Sequence, residues 1–245
     1  MRSVIEPQGD SKGKPKQMSI SVVICALNEA ANLPHVLNRL PSNVSEVILV
    51  DGHSMDGTVD KAREILPSIR VLYQPGKGKG DALNFGFDNA TSDLIIALDA
   101  DGSTDPEEMD RFIHPLIHGY DVCKGSRFLK GAGTDDMPRH RILGNRLFTL
   151  LTNFLFRAEF TDLAYGYFGC RRECWPQMKP RTNGFAVETE IQVKAKKAGL
   201  KIIEVPSWEH RRISGKGNLR SFRDGRKILW TILRERFTMW SRARP

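Results

Sequence analysis

Apolar positions in this chain fall into short, nearly continuous runs, separated by longer stretches in which they recur every three or four residues. The runs ISVVICAL, EVILV, IRVLYQ and DLIIAL are rich in β-branched residues, the pattern of strands covered on both faces. Between them, residues 32–40, 57–66 and 80–90 carry helical spacing. Strand alternating with helix predicts a mostly parallel α/β sheet flanked by helices, and chemistry in such sheets collects beyond the carboxyl ends of the strands. A helix from Asp105-Pro106 to about Ile117 and a short strand at DVCKG continue the alternation before it fades.

Farther on, LKGAGTDDMPRHR reads as a mobile loop and RILGNRLFTLLTNFLFRAEF as a helix whose apolar residues nearly encircle it. From Leu147 to Phe156 only Thr149, Thr152 and Asn153 are polar. That segment is too short to span a bilayer but suits burial or membrane contact, and core burial is the expectation. Residues 187–200 read as a helix ended by Gly199, and KIIEVPS as a strand stopped by Pro206. The stretch NLRSFRDGRKILWTILRERFTMW is a basic amphipathic helix. Two readings of it stay open: contact with an anionic membrane, or packing on the domain with the basic face in water.

Composition narrows the picture. With 245 residues and 40% hydrophobic content the chain supports one sizeable core. No apolar run approaches the roughly 20 residues a membrane span needs, and the first residues lack the apolar centre of a signal peptide. A cytoplasmic location is expected, with peripheral attachment to the inner membrane face as an option. Cys25, Cys123, Cys170 and Cys174 show no zinc-ligand spacing and read as free thiols. The net charge of +8 is uneven: from Arg171 onward 19 Lys and Arg face 7 Asp and Glu, against 18 and 22 before it. Such a surface suits nucleic acid, an anionic membrane or a phosphorylated small molecule.

The chemistry sits at strand ends. Asp99 and Asp101 follow DLIIAL and converge only if the chain turns at Gly102. Paired oxygen ligands there suit Mg2+ or Mn2+, which keep positions for water and substrate phosphates. Asn28 and Glu29 follow the first run, and Asp51 the second. The stretch PGKGKGDALNFGF is similar to a phosphate-binding loop, with Lys77 and Lys79 as phosphate contacts, although it matches neither the Walker nor the dinucleotide spacing. Arg127 and the cluster HRRISGKGN offer further anion contacts. Asp162, Glu188 and Glu190 are carboxylates in apolar surroundings, where raised pKa values and acid–base work are expected; for the two glutamates helix capping competes. A nucleic-acid partner is not expected, because the strand-end carboxylates would repel its backbone.

VVICALNEAANL, ILVDGHSMDGT, GKGKGDALNFGF, LDADGSTDP, GSRF and DLAYGYFG, in this order, resemble glycosyltransferase family 2 with the GT-A fold. The pattern is nearest to that of dolichol-phosphate mannosyltransferases and bacterial polyprenyl-phosphate sugar transferases. The resemblance implies a UDP- or GDP-sugar donor over the first strands, with Ala26, Leu27, Asn28 and Glu29 near the nucleoside and Asp51 at the base. It implies a metal and diphosphate site at Asp99, Ala100 and Asp101, phosphate contacts from Arg127 and Arg212, and Asp162 facing the acceptor and the anomeric carbon. The chain departs from the family at Gly52 and His53, at Ser103, and at the late GKGN, where Lys216 stands near a lysine replaced by Asn218.

These features predict a disordered leader over 1–17, one GT-A catalytic domain over 18–213 and a basic amphipathic tail over 214–245. The expected reaction is metal-dependent, inverting sugar transfer, with a polyprenyl phosphate at the membrane surface as acceptor. A soluble small-molecule acceptor is the alternative, followed by a nucleotidyltransferase releasing diphosphate. An alcohol acceptor would need a base, with Asp162 first and Glu188 or Glu190 behind it.

Overall fold

The computed structural model describes residues 18–215, 217 and 221–238. The leader expected over 1–17, Lys216 and Asn218 of the late loop, and the end of the tail lie outside the described residues. In chain order the elements are β1 (Ile20–Ala26), α1 (Leu33–Leu37), β2 (Glu46–Asp51), α2 (Thr58–Ile65), β3 (Arg70–Tyr73), α3 (Lys79–Asn89), β4 (Leu94–Asp99), α4 (Met109–Ile117) and β5 (Val122–Ser126). They continue with β6 (Gly133–Thr134), α5 (Arg139–Phe156), β7 (Phe168–Arg171), α6 (Trp175–Met178), α7 (Val187–Ala198), β8 (Ile202–Pro206), β9 (Trp208–Glu209) and α8 (Ser221–Phe237).

Seven strands form one sheet in the order β3-β2-β1-β4-β7-β5-β8, and β6 pairs with β9 apart from it. Strands of the large sheet run parallel except β7, which is antiparallel to both β4 and β5. Each central strand is buried on both faces, as its uninterrupted apolar run requires. Val22 and Ile24 of β1 pack with α1, α2 and α4 through Leu33, Ala62 and Phe112. Val23 packs the other way, with Leu83 and Phe87 of α3 and Ile191 of α7. A single three-layer α/β domain results, as the sequence predicts.

Topology fixes where ligands can sit. The chain leaves β1 to β2 on one side and returns to β4 on the other, so the crevice opens between β1 and β4. Register aligns Asp51 with Ala26, and Cys25 with Asp99, along the carboxyl edge. Because β7 runs backwards, its amino end reaches the same edge, and Gly166 arrives beside Asp99. The basic helix of the expected tail is joined to the domain: α8 packs on α5 and α7, with Ile228 and Ile232 in a third cluster with Phe160, Leu163 and Ala186.

Candidate active site

At the tip of β4 the chain turns as expected: Gly102 takes φ 77°. Asp101 Oδ1 accepts the Ser103 N–H at 3.0 Å, and the Asp99 N–H donates to Thr104 Oγ1. Lys79, first residue of α3, reaches across the crevice to Asp99 at 2.7 Å and to Glu188, in the first turn of α7, at 2.9 Å. Burial alone disfavours the Lys79 ammonium, but Asp99 and Glu188 outweigh it and raise its pKa well above the ordinary value. Lys79 thus holds two carboxylates together rather than standing free for phosphate.

Glycines of GKGKG serve close packing. The Gly80 N–H donates to the Asn183 carbonyl at 2.9 Å, and a Cβ at Gly78 or Gly80 would strike backbone at Asn183 or Thr182. Gly166 lies so close to Lys79 and Asp99 that a side chain there would press on their ion pair. A second network closes the other flank. Arg212 bonds both oxygens of Glu29, at 2.5 and 2.9 Å, and its Nε lies 3.7 Å from Asp101 Oδ2. Burial raises the Glu29 pKa, and Asn32 and Arg212 only partly offset it.

Two expectations about charge are corrected. Asp162 is fully buried, and burial alone would raise its pKa, but the Arg127 guanidinium (2.7 and 2.9 Å) and nearby Lys124 hold it at about 2. Asn145 Nδ2 also donates to it at 3.0 Å. An anion so strongly stabilised is a poor proton acceptor, so the structure gives Asp162 the part of a counter-ion, not of a base. Arg127 is likewise committed: it bonds Asp162, Glu209 at 3.0 Å and the Ala164 carbonyl at 2.8 Å, with its guanidinium over the Tyr165 ring. It lines the site but is not free to clamp a phosphate in two bonds. Glu190 behaves like Asp162: burial opposes its charge, yet Lys194 and the Thr182 and Arg181 N–H groups bring it down to about 2.

One cleft of about 790 Å3 gathers Ala26, Leu27, Glu29, Lys79, Asp99, Ala100, Asp101, Arg127, Glu188 and Arg212. Asn28 and Asp51 stand outside its lining. Asn28, at φ 57°, gives its N–H to Ser54 Oγ and accepts the Met55 N–H, so it braces the loop after β2. Asp51 is buried; it accepts the Ser54 N–H at 3.0 Å, and its other oxygen has no partner among the described residues. The opposite wall was not foreseen from sequence: His140 and Phe148 of α5, Phe185, and Phe222, Arg226 and Leu229 of α8. Alternation of basic and aromatic residues in these helices was the available signal, but nothing in it says which helix faces the strand tips.

The model of the family "Glycosyl transferase family 2" matches residues 21–175, from β1 through the strand-tip carboxylates to β7. The chain belongs to glycosyltransferase family 2. Its relatives include glycosyltransferase AglJ of Haloferax volcanii, 30% identical over 226 residues, covering 90% of this chain and 73% of that one. They include also a dolichol-phosphate mannosyltransferase of Pyrococcus furiosus, 28% identical over 83% of this chain and 60% of its own length. Polyprenol monophosphomannose synthase of Mycolicibacterium smegmatis is 28% identical over 79% of this chain and 77% of that one. Among solved structures, glucosyl-3-phosphoglycerate synthase of Mycobacterium tuberculosis in complex with Mn2+, UDP and glucosyl-3-phosphoglycerate superposes with a TM-score of 0.72. That match has 22% identity and covers 91% of this chain and 82% of that one. The fold is therefore GT-A, and the enzyme is a glycosyltransferase.

Carboxylate donors on the turn of this family 2 enzyme suit a hard divalent ion. Asp101 Oδ2 lies beyond hydrogen-bond length of its nearest ion-pair partner, Arg212, and so has capacity for one. Among the described residues no group of three or more His, Cys, Asp or Glu gathers as a metal cage. Mg2+ and Mn2+ commonly complete their shells with water and substrate phosphates, so two carboxylates are a sufficient protein share. Asp99 is already paired with Lys79, which it shares with Glu188, and this leaves Asp101 as the stronger candidate ligand.

Proposed function

We propose that this glycosyltransferase moves a sugar from a nucleoside-diphosphate donor, UDP- or GDP-linked, to a polyprenyl phosphate by a single inverting displacement. The observation that carries the acceptor is the state of the carboxylates. Asp162 pairs with Arg127, Glu188 with Lys79, and Glu190 with Lys194 and Arg234. An alcohol acceptor needs one of them as a free base, whereas a phosphate monoester oxygen is ionised near neutral pH and attacks without one. The mixed far wall of the cleft, Arg226 beside Phe148, Phe222 and Leu229, supports the same class of acceptor.

In this reading Ala26 and Leu27 bear on the nucleoside, Asp51 on the base, and Asp99, Ala100 and Asp101 on the diphosphate. A divalent ion held by Asp101, with Asp99 beside it, would supply positive charge to the departing diphosphate. Lys79 fixes Asp99 and Glu188 in place, and the Arg127–Asp162 pair forms a rigid floor below the sugar. The AglJ, mannosyltransferase and mannose synthase relatives support sugar transfer, two of them by names that mention a polyprenol or dolichol phosphate. The test is product analysis with UDP- and GDP-sugars, Mn2+, and matched acceptors: a prenyl phosphate, the corresponding prenyl alcohol and 3-phosphoglycerate. Sugar on the prenyl phosphate alone is expected. Transfer to the alcohol or to the soluble acid, with none to the lipid phosphate, overturns the reading.

A further inference from the structure

Helix α5 is apolar on two sides: Phe148, Leu151, Leu155 and Phe156, each half-buried, pack against the third core cluster, and a second apolar stripe faces outward. The buried residues of the helix are Asn145, Thr149 and Thr152, whereas Leu143, Leu147, Leu150 and Phe154 are 60%, 57%, 66% and 82% exposed. Offsets of four, seven and eleven residues place those four on one helical face. Two of the inward polar residues have partners there: the Asn145 side chain bonds Asp162 and the Ala164 N–H, and Thr149 Oγ1 bonds the Asn145 carbonyl. Core burial, the expectation for Leu147 to Phe156, is met by Phe148, Leu151, Leu155 and Phe156 but not by the outer face of Leu147, Leu150 and Phe154.

Helix α8 repeats the arrangement. It buries Asp224, Ile228, Thr231, Ile232 and Glu235, and on the opposite side it exposes Phe222, Trp230 and Phe237, at 91%, 67% and 81%. The two helices pack against each other, so these stripes belong to one region of the surface. Single exposed apolar residues are ordinary, but two aligned stripes on neighbouring helices mark a surface that meets something.

Charge decides what it meets. Arg139, Arg146 and Arg157 at α5, and Arg223, Arg226, Lys227 and Arg236 on α8, are all exposed. Helix α5 contains no acidic residue, and the two acids of α8, Asp224 and Glu235, are buried. A second copy of the chain would bring cations against cations, which disfavours a symmetric dimer through this face. A bilayer with anionic headgroups accepts both components at once: leucines and aromatics below the headgroups, guanidinium and ammonium groups among them. We propose that the outer faces of α5 and α8 seat this enzyme on an anionic membrane surface.

Phe222, Arg226 and Leu229 also line the cleft, so its mouth lies at the edge of this face. A lipid phosphate would then pass from headgroup depth to the strand tips with its chain still in the bilayer. That route rests on the proposed acceptor; the docking face rests on the two helices alone.

The test is co-sedimentation of the full chain with phosphatidylcholine vesicles with and without phosphatidylglycerol, at low and high salt. The wild type is expected to partition onto the phosphatidylglycerol vesicles at low salt, less in high salt, and weakly onto neutral ones. The triple variant Leu147→Glu, Leu150→Glu, Phe154→Glu, and separately Trp230→Glu, should each lower partitioning by about tenfold or more, since a charged side chain replaces an inserted apolar one. All four positions are exposed and outside the cleft, so thermal unfolding and transfer to a short-chain, water-soluble prenyl phosphate should stay unchanged. Absence of wild-type binding, equal binding to neutral vesicles, or full binding by both variants overturns the docking proposal. A wild type that ignores vesicles yet glycosylates the short-chain phosphate refutes docking alone, while one that docks but glycosylates no lipid phosphate refutes only the acceptor.

Discussion

Lys79 carries the electrostatic balance of the acidic end of the cleft, because it is the cation shared by Asp99 and Glu188. Lys79→Met leaves two carboxylates facing each other without it, and loss of one partner from a largely buried ion pair costs on the order of 3 kcal/mol. A divalent ion near Asp99 would restore part of that balance. The melting temperature of Lys79→Met is therefore expected to fall in EDTA and to rise with Mn2+ by more than that of the wild type; equal Mn2+ shifts would show that Asp99 lies out of reach of the ion. Asp101→Ala removes the carboxylate with free capacity, and turnover should drop by about 10³-fold, the scale of losing a preorganised electrostatic group. Isothermal titration of Mn2+ in the presence of UDP checks whether binding is lost with it. Asp162 tests a different quantity. Its folded pKa of about 2 lies below the unfolded value, so its stabilisation is complete above about pH 4 and disappears as pH falls toward 2. Urea unfolding of Asp162→Asn should show a loss of about 3 kcal/mol at neutral pH, narrowing against the wild type below about pH 4. A gap independent of pH would mean that packing, not the ion pair with Arg127, is what the substitution removes.

Elements were legible where a local pattern determines them. The runs that became β1, β2 and β4 are uninterrupted because strands covered on both faces need no polar alternation, whereas β3, from IRVLYQ, lies at the sheet edge and is only half-buried or exposed, against expectation; α3, α4 and α7 followed from helical spacing. Strand β7 was not foreseen: FGCR is four residues long with a glycine inside it, and its reversed direction is set by its neighbours β4 and β5, not by its own composition. The outward face of α5 was hidden for a similar reason. Burial of Asn145 makes sense only once Asp162, distant in sequence, is seen to need a donor. The strand-tip acids were readable as a group, but the counter-ion that silences Asp162 lies 35 residues away at Arg127. The glycines of GKGKG show how one motif admits two physical readings. Their likeness to a phosphate loop rests on backbone freedom, yet at Gly80 that freedom admits the 182–183 backbone against the start of α3. Gly80→Ala should therefore destabilise the fold by about 1–3 kcal/mol through overpacking against an unyielding carbonyl. Equilibrium denaturation measures it, and an unchanged midpoint would return the glycine to a ligand-binding role.

At the scale of the whole molecule, the crevice is closed by joining residues remote in sequence. Glu29 follows β1, Arg212 follows β9, and their two-pronged pair is reinforced by backbone bonds from Ile213 to Asp101 and from His210 to Ser103. The Asn32 side chain also holds the Ser214 carbonyl at 3.2 Å. The segment from His210 to Gly215 therefore lies as a strap across the tips of β1 and β4, beside the proposed donor site. Arg212→Ala removes the central bond of the strap and leaves Glu29 buried with Asn32 as its remaining side-chain partner among the described residues. Burial already raises the Glu29 pKa, and without Arg212 it rises further, which penalises the ionised form. The sign follows from linkage: a carboxylate whose folded pKa exceeds its unfolded value binds protons more readily in the native state, so its contribution to stability falls as pH rises through that folded pKa. Arg212→Ala is thus expected to lose most stability relative to the wild type near neutral pH and to recover part of it on acidification toward about pH 5. Denaturant unfolding at the two pH values measures this, and Arg212→Ala with Glu29→Gln supplies the control, because with no charge to bury the pH-dependent part should vanish. A deficit of equal size at both pH values would mean that Arg212 supports the strap by packing alone.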